Sequence, residues 1–196
     1  MNEKTGKYPL TFNPKNAHPW KQPVVKSCGK CESCRRQHVT RIATACEQHM
    51  RLESASCYLT LTYDEEHLPE NGTLVKKHVD RFIDALRKWI AVNKDDPKWN
   101  KAYFGNHQGK FKRVVSGEYG SKTDRPHYHL FIMGFDFPDK EPLPFKKDGK
   151  QLFRSKILQH YWPYGTVDYK NADPGAAKYV IKYAMKEKLH GKEYHE

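Results

Sequence analysis

No run in this chain approaches the ~18 consecutive apolar residues that a membrane-spanning helix needs. The opening stretch MNEKTGKYPLTFNPKN has no apolar core, so it does not read as a secretory signal, and a cytosolic, reducing setting is the expectation. There is no internal repeat and no low-complexity tract. Cysteine is scarce and unevenly spread: there are five, an odd number, and three of them fall within positions 28–34. That is a poor disulfide framework and a better metal-ligand pattern. Acidic residues are in deficit, 23 against 35 Lys and Arg, for a net charge of +12. So basic a balance points to a polyanionic partner, nucleic acid first. No helical segment pairs a basic face with a broad Trp/Phe/Leu face, which disfavours a membrane surface as that partner. With 196 residues and a hydrophobic fraction of 37%, the chain suits one domain with one core.

The pattern along the chain predicts a mixed fold. Residues 1–27, rich in Pro, Lys and Asn, read as an extended arm. Val39, Ile42, Cys46, His49 and Met50 recur at helical spacing and predict a helix over roughly 34–53. CYLTLTY (57–63) alternates and is rich in β-formers, as a strand should be. Val75, Val79, Phe82, Ile83, Leu86 and Ile90 form the clearest apolar stripe in the chain. KRVVSGEY (112–119) and HYHLFIMGF (127–135), joined by the turn-rich GSKTDRP, read as an antiparallel pair. DFPDKEPLPFKKDGK reads as a loop, Leu152 to Trp162 as a helix, GTVDYK as a short strand, and Pro174 as the first turn of a last helix. The expectation is α+β: one central antiparallel sheet with helices packed mainly on one face. An N-terminal part, 1–54, would hold the arm, the cysteines and a helix, packed as one unit with a main domain over 55–196.

Three groups of residues carry chemistry. His127 and His129 are two apart in a strand, so their imidazoles share a face while Tyr128 and Leu130 take the other. Two such imidazoles are half of a divalent metal site, and Glu118 on the preceding strand is placed across from, or diagonal to, them as a third ligand. In AAKYVIKYAMK, Tyr179 and Tyr183 sit one helical turn apart on one face. Lys178, Lys182 and Lys186 run beside them at the same spacing. The stripe suits an amphipathic surface helix with half-buried phenols. It also suits two nucleophiles in a basic field, each able to attack a metal-activated phosphodiester, with Lys182 neutralising phosphate charge. Cys28, Cys31 and Cys34 have the repeated two-residue gaps of zinc ligands. A fourth ligand could be His38, Cys46, Cys57 or His49. The preferred reading is a structural zinc knuckle that orders the arm, with Arg35 and Arg36 nearby for DNA. Arg125, beside the histidines, is a candidate phosphate contact, and Asp64 at the end of the first strand a candidate extra ligand.

RPHYHLFIMG resembles the His-hydrophobic-His motif of the HUH endonucleases, the rolling-circle replication initiators and their relatives. YLTLTYD resembles their first motif, and KYVIKYAMK the two-tyrosine motif of the subgroup used by small single-stranded DNA bacteriophages. CGKCESCRR, a helix, YLTLTYD and SGEYG…RPHYH, in that order, are similar to replication initiators of microviruses, the gokushovirus branch especially. The resemblance covers roughly residues 28–187. It implies an HUH-type sheet with a ferredoxin- or RRM-like palm and a divalent cation, magnesium or manganese. It also implies nicking of one DNA strand at an origin, through a 5′-phosphotyrosine intermediate and a free 3′-OH. Carried across, His127, His129 and Glu118 take the metal-ligand positions, Tyr179 and Tyr183 the nucleophile positions, and Lys182 the lysine between them. Lys178, Lys186, Arg125, Arg35 and Arg36 are the expected DNA contacts. Single-stranded DNA and host replication proteins are the expected partners, in the host bacterial cytoplasm. Two other readings stand beside this one: a plasmid relaxase or two-tyrosine transposase with the same chemistry, and a zinc-containing nucleic-acid-binding module without catalysis.

Overall fold

The computed structural model describes residue 15 and residues 27–120, 123–147 and 149–173. In chain order the elements are α1 (Glu32–Leu52), β1 (Ser56–Thr62), α2 (Lys76–Asn93), β2 (Lys112–Tyr119), β3 (Pro126–Met133), β4 (Glu141–Lys147), β5 (Lys150–Arg154), α3 (Lys156–Tyr161) and β6 (Val167–Asn171). The six strands form one sheet in the order β2-β3-β1-β6-β5-β4, and every neighbouring pair is antiparallel. This is the expected α+β class. No helix among the described residues is long and apolar enough to cross a membrane.

Alternation sorts the side chains of β1 and β3 between two faces. Leu59, Leu61, Tyr128, Leu130 and Ile132 enter the main core, where the stripe of α2 (Val79, Phe82, Ile83, Leu86, Ile90) meets them. Leu158 of α3 and Trp162 just beyond it close the same core, and the Trp162 indole donates to the Thr62 carbonyl at 3.3 Å. Each fully buried Phe, Leu or Ile there contributes about 1.5–3 kcal/mol of transfer free energy. The other face carries a smaller core, in which Ala43 and Cys46 of α1 rest on Tyr58, Phe131 and Met133. Two helices thus cover one face and α1 covers an end of the other.

The sheet is wider than its sequence suggests. Glu141–Lys147 and Lys150–Arg154, read as loop and helix start, are instead the hairpin β4–β5. The segment 152–162 divides, because Leu152 and Phe153 pair with Lys170 and Tyr169 of β6. The helix then starts at Lys156, where the Ser155 hydroxyl caps it by accepting from the Leu158 N–H at 3.0 Å. Gly165 lets the chain return against β1. A Cβ there would lie 2.4 Å from both the Thr62 carbonyl oxygen and the Asp64 nitrogen.

Candidate metal centre

The register of β2, β3 and β1 assembles a three-residue centre on the face that α1 partly covers. Glu118 pairs directly with His127, and His129 with Ser116, while on the other side Thr62 faces His127 and Thr60 faces His129. One Glu118 carboxylate oxygen lies 3.0 Å from His129 Nε2 and 3.7 Å from His127 Nε2. One ligand atom from each of the three residues falls within 4.8 Å of the others, close enough to share a cation. His129 is buried, while His127 and Glu118 are half-buried.

The outer hydrogen bonds decide which ring atoms are available. His127 Nδ1 is 3.1 Å from the Arg125 carbonyl, which can only accept, so Nδ1 carries the proton and Nε2 presents its lone pair. His129 Nδ1 lies 2.7 Å from the Tyr58 hydroxyl and 3.1 Å from that of Thr60. With Nε2 turned to a cation, His129 Nδ1–H donates to these oxygens. Burial, reinforced by the neighbouring His127, pulls the His129 pKa down to about 4, so the imidazole is neutral near pH 7, as a ligand must be. Two neutral imidazoles and a carboxylate, with both outer nitrogens engaged, fit a divalent cation.

The second cluster lies at the start of α1. Cys28 Sγ and Cys34 Sγ are 3.7 Å apart, and Cys28 Sγ accepts from the Cys31 N–H at 3.3 Å. The three thiols lie within 4.8 Å of one another. Backbone N–H groups of Cys31 and Lys30 pull the Cys28 pKa down to about 6, toward the thiolate that binds zinc. His38 is not among the side chains that meet there. Cys46 is buried under α1, and Cys57 lies in the main core, where burial pushes its thiol well up. His49 faces Glu53 instead, at 3.6 Å.

Other candidates lie elsewhere. The Arg125 guanidinium donates to the Tyr63 carbonyl at 3.0 Å and pairs with Glu65, while its own carbonyl holds His127. Arg36 pairs with Glu32 at 2.5 Å on the surface of α1. Arg35 Nε is buried with no hydrogen-bond partner among the described residues. Asp64 accepts from His67, and Tyr63 enters the main core with its hydroxyl 3.0 Å from His78, so neither joins the centre. Tyr179, Tyr183, Lys178, Lys182 and Lys186 lie outside the described residues. Tyr58 and Thr60 escaped the sequence reading as site residues. Their signal was the alternation of YLTLT, which puts a polar row opposite Leu59 and Leu61; it gains meaning only once β1 is known to lie beside β3.

Fold and site together define an α+β protein whose antiparallel sheet presents a His-x-His pair and a facing glutamate as a candidate metal centre. The model of the replication-associated protein ORF2 family matches residues 56–188, and the chain belongs to that family. It is similar to replication-associated protein VP4 of Bdellovibrio phage phiMH2K, with 30% identity over 164 residues, 84% of this chain and 49% of that protein. It is also similar to replication-associated protein ORF4 of Chlamydia phage 1, with 30% identity over 185 residues, 91% of this chain and 43% of that protein. A third relative is replication-associated protein ORF2 of Spiroplasma virus 4, 28% identical over 172 residues, 85% of this chain and 49% of that protein. The chain spans about half the length of these curated relatives. No solved structure matches it.

Proposed function

We propose that this protein is a metal-dependent DNA-nicking enzyme that initiates rolling-circle replication of a single-stranded DNA phage. The observation that carries the reading is the convergence of His127 Nε2, His129 Nε2 and the Glu118 carboxylate in a chain of the replication-associated family. A divalent cation bound there would polarise a phosphoryl oxygen of the scissile phosphodiester. Two imidazoles beside one carboxylate suit manganese better than magnesium, which favours oxygen ligands.

In this reading Tyr179 or Tyr183 supplies the nucleophile. Its oxygen bonds to phosphorus as the bond to the 3′ oxygen breaks; the phenol proton passes to solvent, and the 3′ oxygen is released as a hydroxyl that primes synthesis. The second tyrosine, one turn away, can attack a second end while the first is esterified, and Lys182, Lys178 and Lys186 offset phosphate charge. The cysteine trio holds a structural zinc whose fourth ligand comes from outside the trio. The segments 1–54 and 55–196 act as one unit, with origin single-stranded DNA and host replication proteins as partners in the bacterial cytoplasm.

The test is a denaturing gel that detects protein covalently joined to circular single-stranded origin DNA, with manganese present or chelated. A metal-dependent adduct that His129→Ala abolishes, that each of Tyr179→Phe and Tyr183→Phe retains, and that the double variant loses is the expected result. A wild-type protein that binds origin DNA tightly and forms no adduct is a non-catalytic binding module.

A further inference from the structure

The hairpin β4–β5 contributes little to the fold, yet it is chemically distinctive. Every residue of β4 is exposed except the half-buried Leu143, so the strand adds nothing to either core. Phe145 is 56% exposed and is followed by Lys146 and Lys147, with Lys150 across the turn. The register slips between Pro142 and Lys146, an irregularity of the kind that re-aims side chains at sheet edges. Residues 141–154 hold four cations and two anions.

The lysines also face a defined direction. Lys147 pairs with Asp168, and Lys150 with Asp173. Asp168 sits opposite Thr60, which is itself opposite His129, and Lys170 sits opposite Tyr58. Lys147, Asp168 and Lys170 therefore share the sheet face of the metal centre. Lys147 and Lys170 are both felt by the His129 imidazole, whose proton affinity they lower. Four strand spacings separate β3 from β4, about 19 Å across that face. Lys146 forms no ion pair among the described residues.

Prolines and lysines on β4 also serve to keep an edge strand from pairing with other sheets. That role needs no aromatic ring at the surface, and Phe145 works against it. An exposed aromatic flanked by lysines is instead the pairing that holds single strands, with the ring stacking on a base and the ammonium groups taking phosphates.

We infer that the β4–β5 hairpin is a clamp for single-stranded DNA, in which Phe145 stacks on a base while Lys146, Lys147 and Lys150 hold adjacent phosphates. The clamp rests on the reading of this sheet face as the DNA-cutting face. It would grip the strand a few nucleotides from the scissile bond. Duplex DNA, whose bases are already stacked, gains nothing from the phenyl ring.

The experiment uses the full chain and a fluorescent oligo-dT, with chelator present so that only binding is read. Phe145→Ala is expected to weaken binding about tenfold, with Phe145→Trp restoring it. The triple replacement of Lys146, Lys147 and Lys150 by alanine is expected to flatten the dependence of log K on log salt by about 2. Duplex affinity should be unchanged by Phe145→Ala. Oligo-dT binding by Phe145→Ala equal to wild type overturns the clamp, as does an equal loss on duplex. Covalent adduct formation in manganese is scored in parallel. A wild type without adduct but with a Phe145-dependent grip removes the nicking reading and leaves the clamp; a normal adduct with no Phe145 dependence does the reverse.

Discussion

Replacing Tyr58 with phenylalanine removes one oxygen from the outer layer of the metal centre and little else. The ring keeps its packing between α1 and the sheet, against Ala43, Phe131 and Met133. What disappears is the hydroxyl 2.7 Å from His129 Nδ1. Thr60 remains at 3.1 Å, so Nδ1–H keeps one acceptor, and the loss is that of a single neutral hydrogen bond, about 0.5–1.5 kcal/mol. Outer-layer partners of a ligating histidine change metal affinity about 10–100-fold, and the surviving threonine puts the single variant at the low end. Manganese binding about tenfold weaker is expected for Tyr58→Phe. Adding Thr60→Val leaves a buried Nδ1–H with no acceptor from β1, and about 100-fold is expected. Isothermal titration with manganese, together with paramagnetic resonance of the free ion, reads both numbers. A melting temperature within a few degrees of wild type shows that the core is intact. The reasoning fails if Tyr58→Phe and the double variant bind manganese as tightly as wild type while His129→Ala does not bind it.

Three further outcomes follow from the geometry. Gly165→Ala should destabilise the fold by about 2–4 kcal/mol in urea unfolding, because the added methyl meets the backbone of β1; an unchanged midpoint would mean that the return loop can move aside. The Glu53 side chain is completely buried, accepting from the Asn106 N–H at 3.0 Å and His107 Nδ1 at 2.5 Å, so Glu53→Ala should cost about 2–3 kcal/mol by the same measurement. A loss near zero would show that these bonds contribute no net stability. Elemental analysis of protein purified without chelator should find one zinc per chain, lost in Cys31→Ser; a wild type free of zinc removes the knuckle.

What could be read in advance followed the physics of each segment. The stripe of α2 is set by its own burial, and the alternation in β1 and β3 by having one apolar partner on each side, so local patterns named them correctly. The facing of His127 and His129 followed from a period of two, and the position of Glu118 from a short turn. The sequence EPLPFKK offered no such cue: two prolines and no buried face make it look like a loop, and it is a strand only because β5 pairs with it. The merger of Leu152 with the following helix has the same origin, since Leu152 and Phe153 are extended by pairing with β6. Ser155 before KIL was a legible cap that was passed over. The roles of Tyr58 and Thr60 depended on strand order, which no local pattern contains. The tyrosine pair lies beyond the described residues and stands as a proposal.

The strand order also dictates when the centre can come into being as the chain is made. Glu118 and His127 belong to a local hairpin that can close early, yet Tyr58 and Thr60, which aim His129, come from a strand synthesised long before. That strand must wait for β3 on one side and for β6 on the other, with Cys57 paired to Asn171 near the end of the described chain. Pairings so far apart in sequence form late and slowly. A ribosome-bound intermediate ending before β6 would hold both histidines but leave one long edge of β1 bare, prone to join another nascent chain. The sheet is sealed only when its last strand arrives.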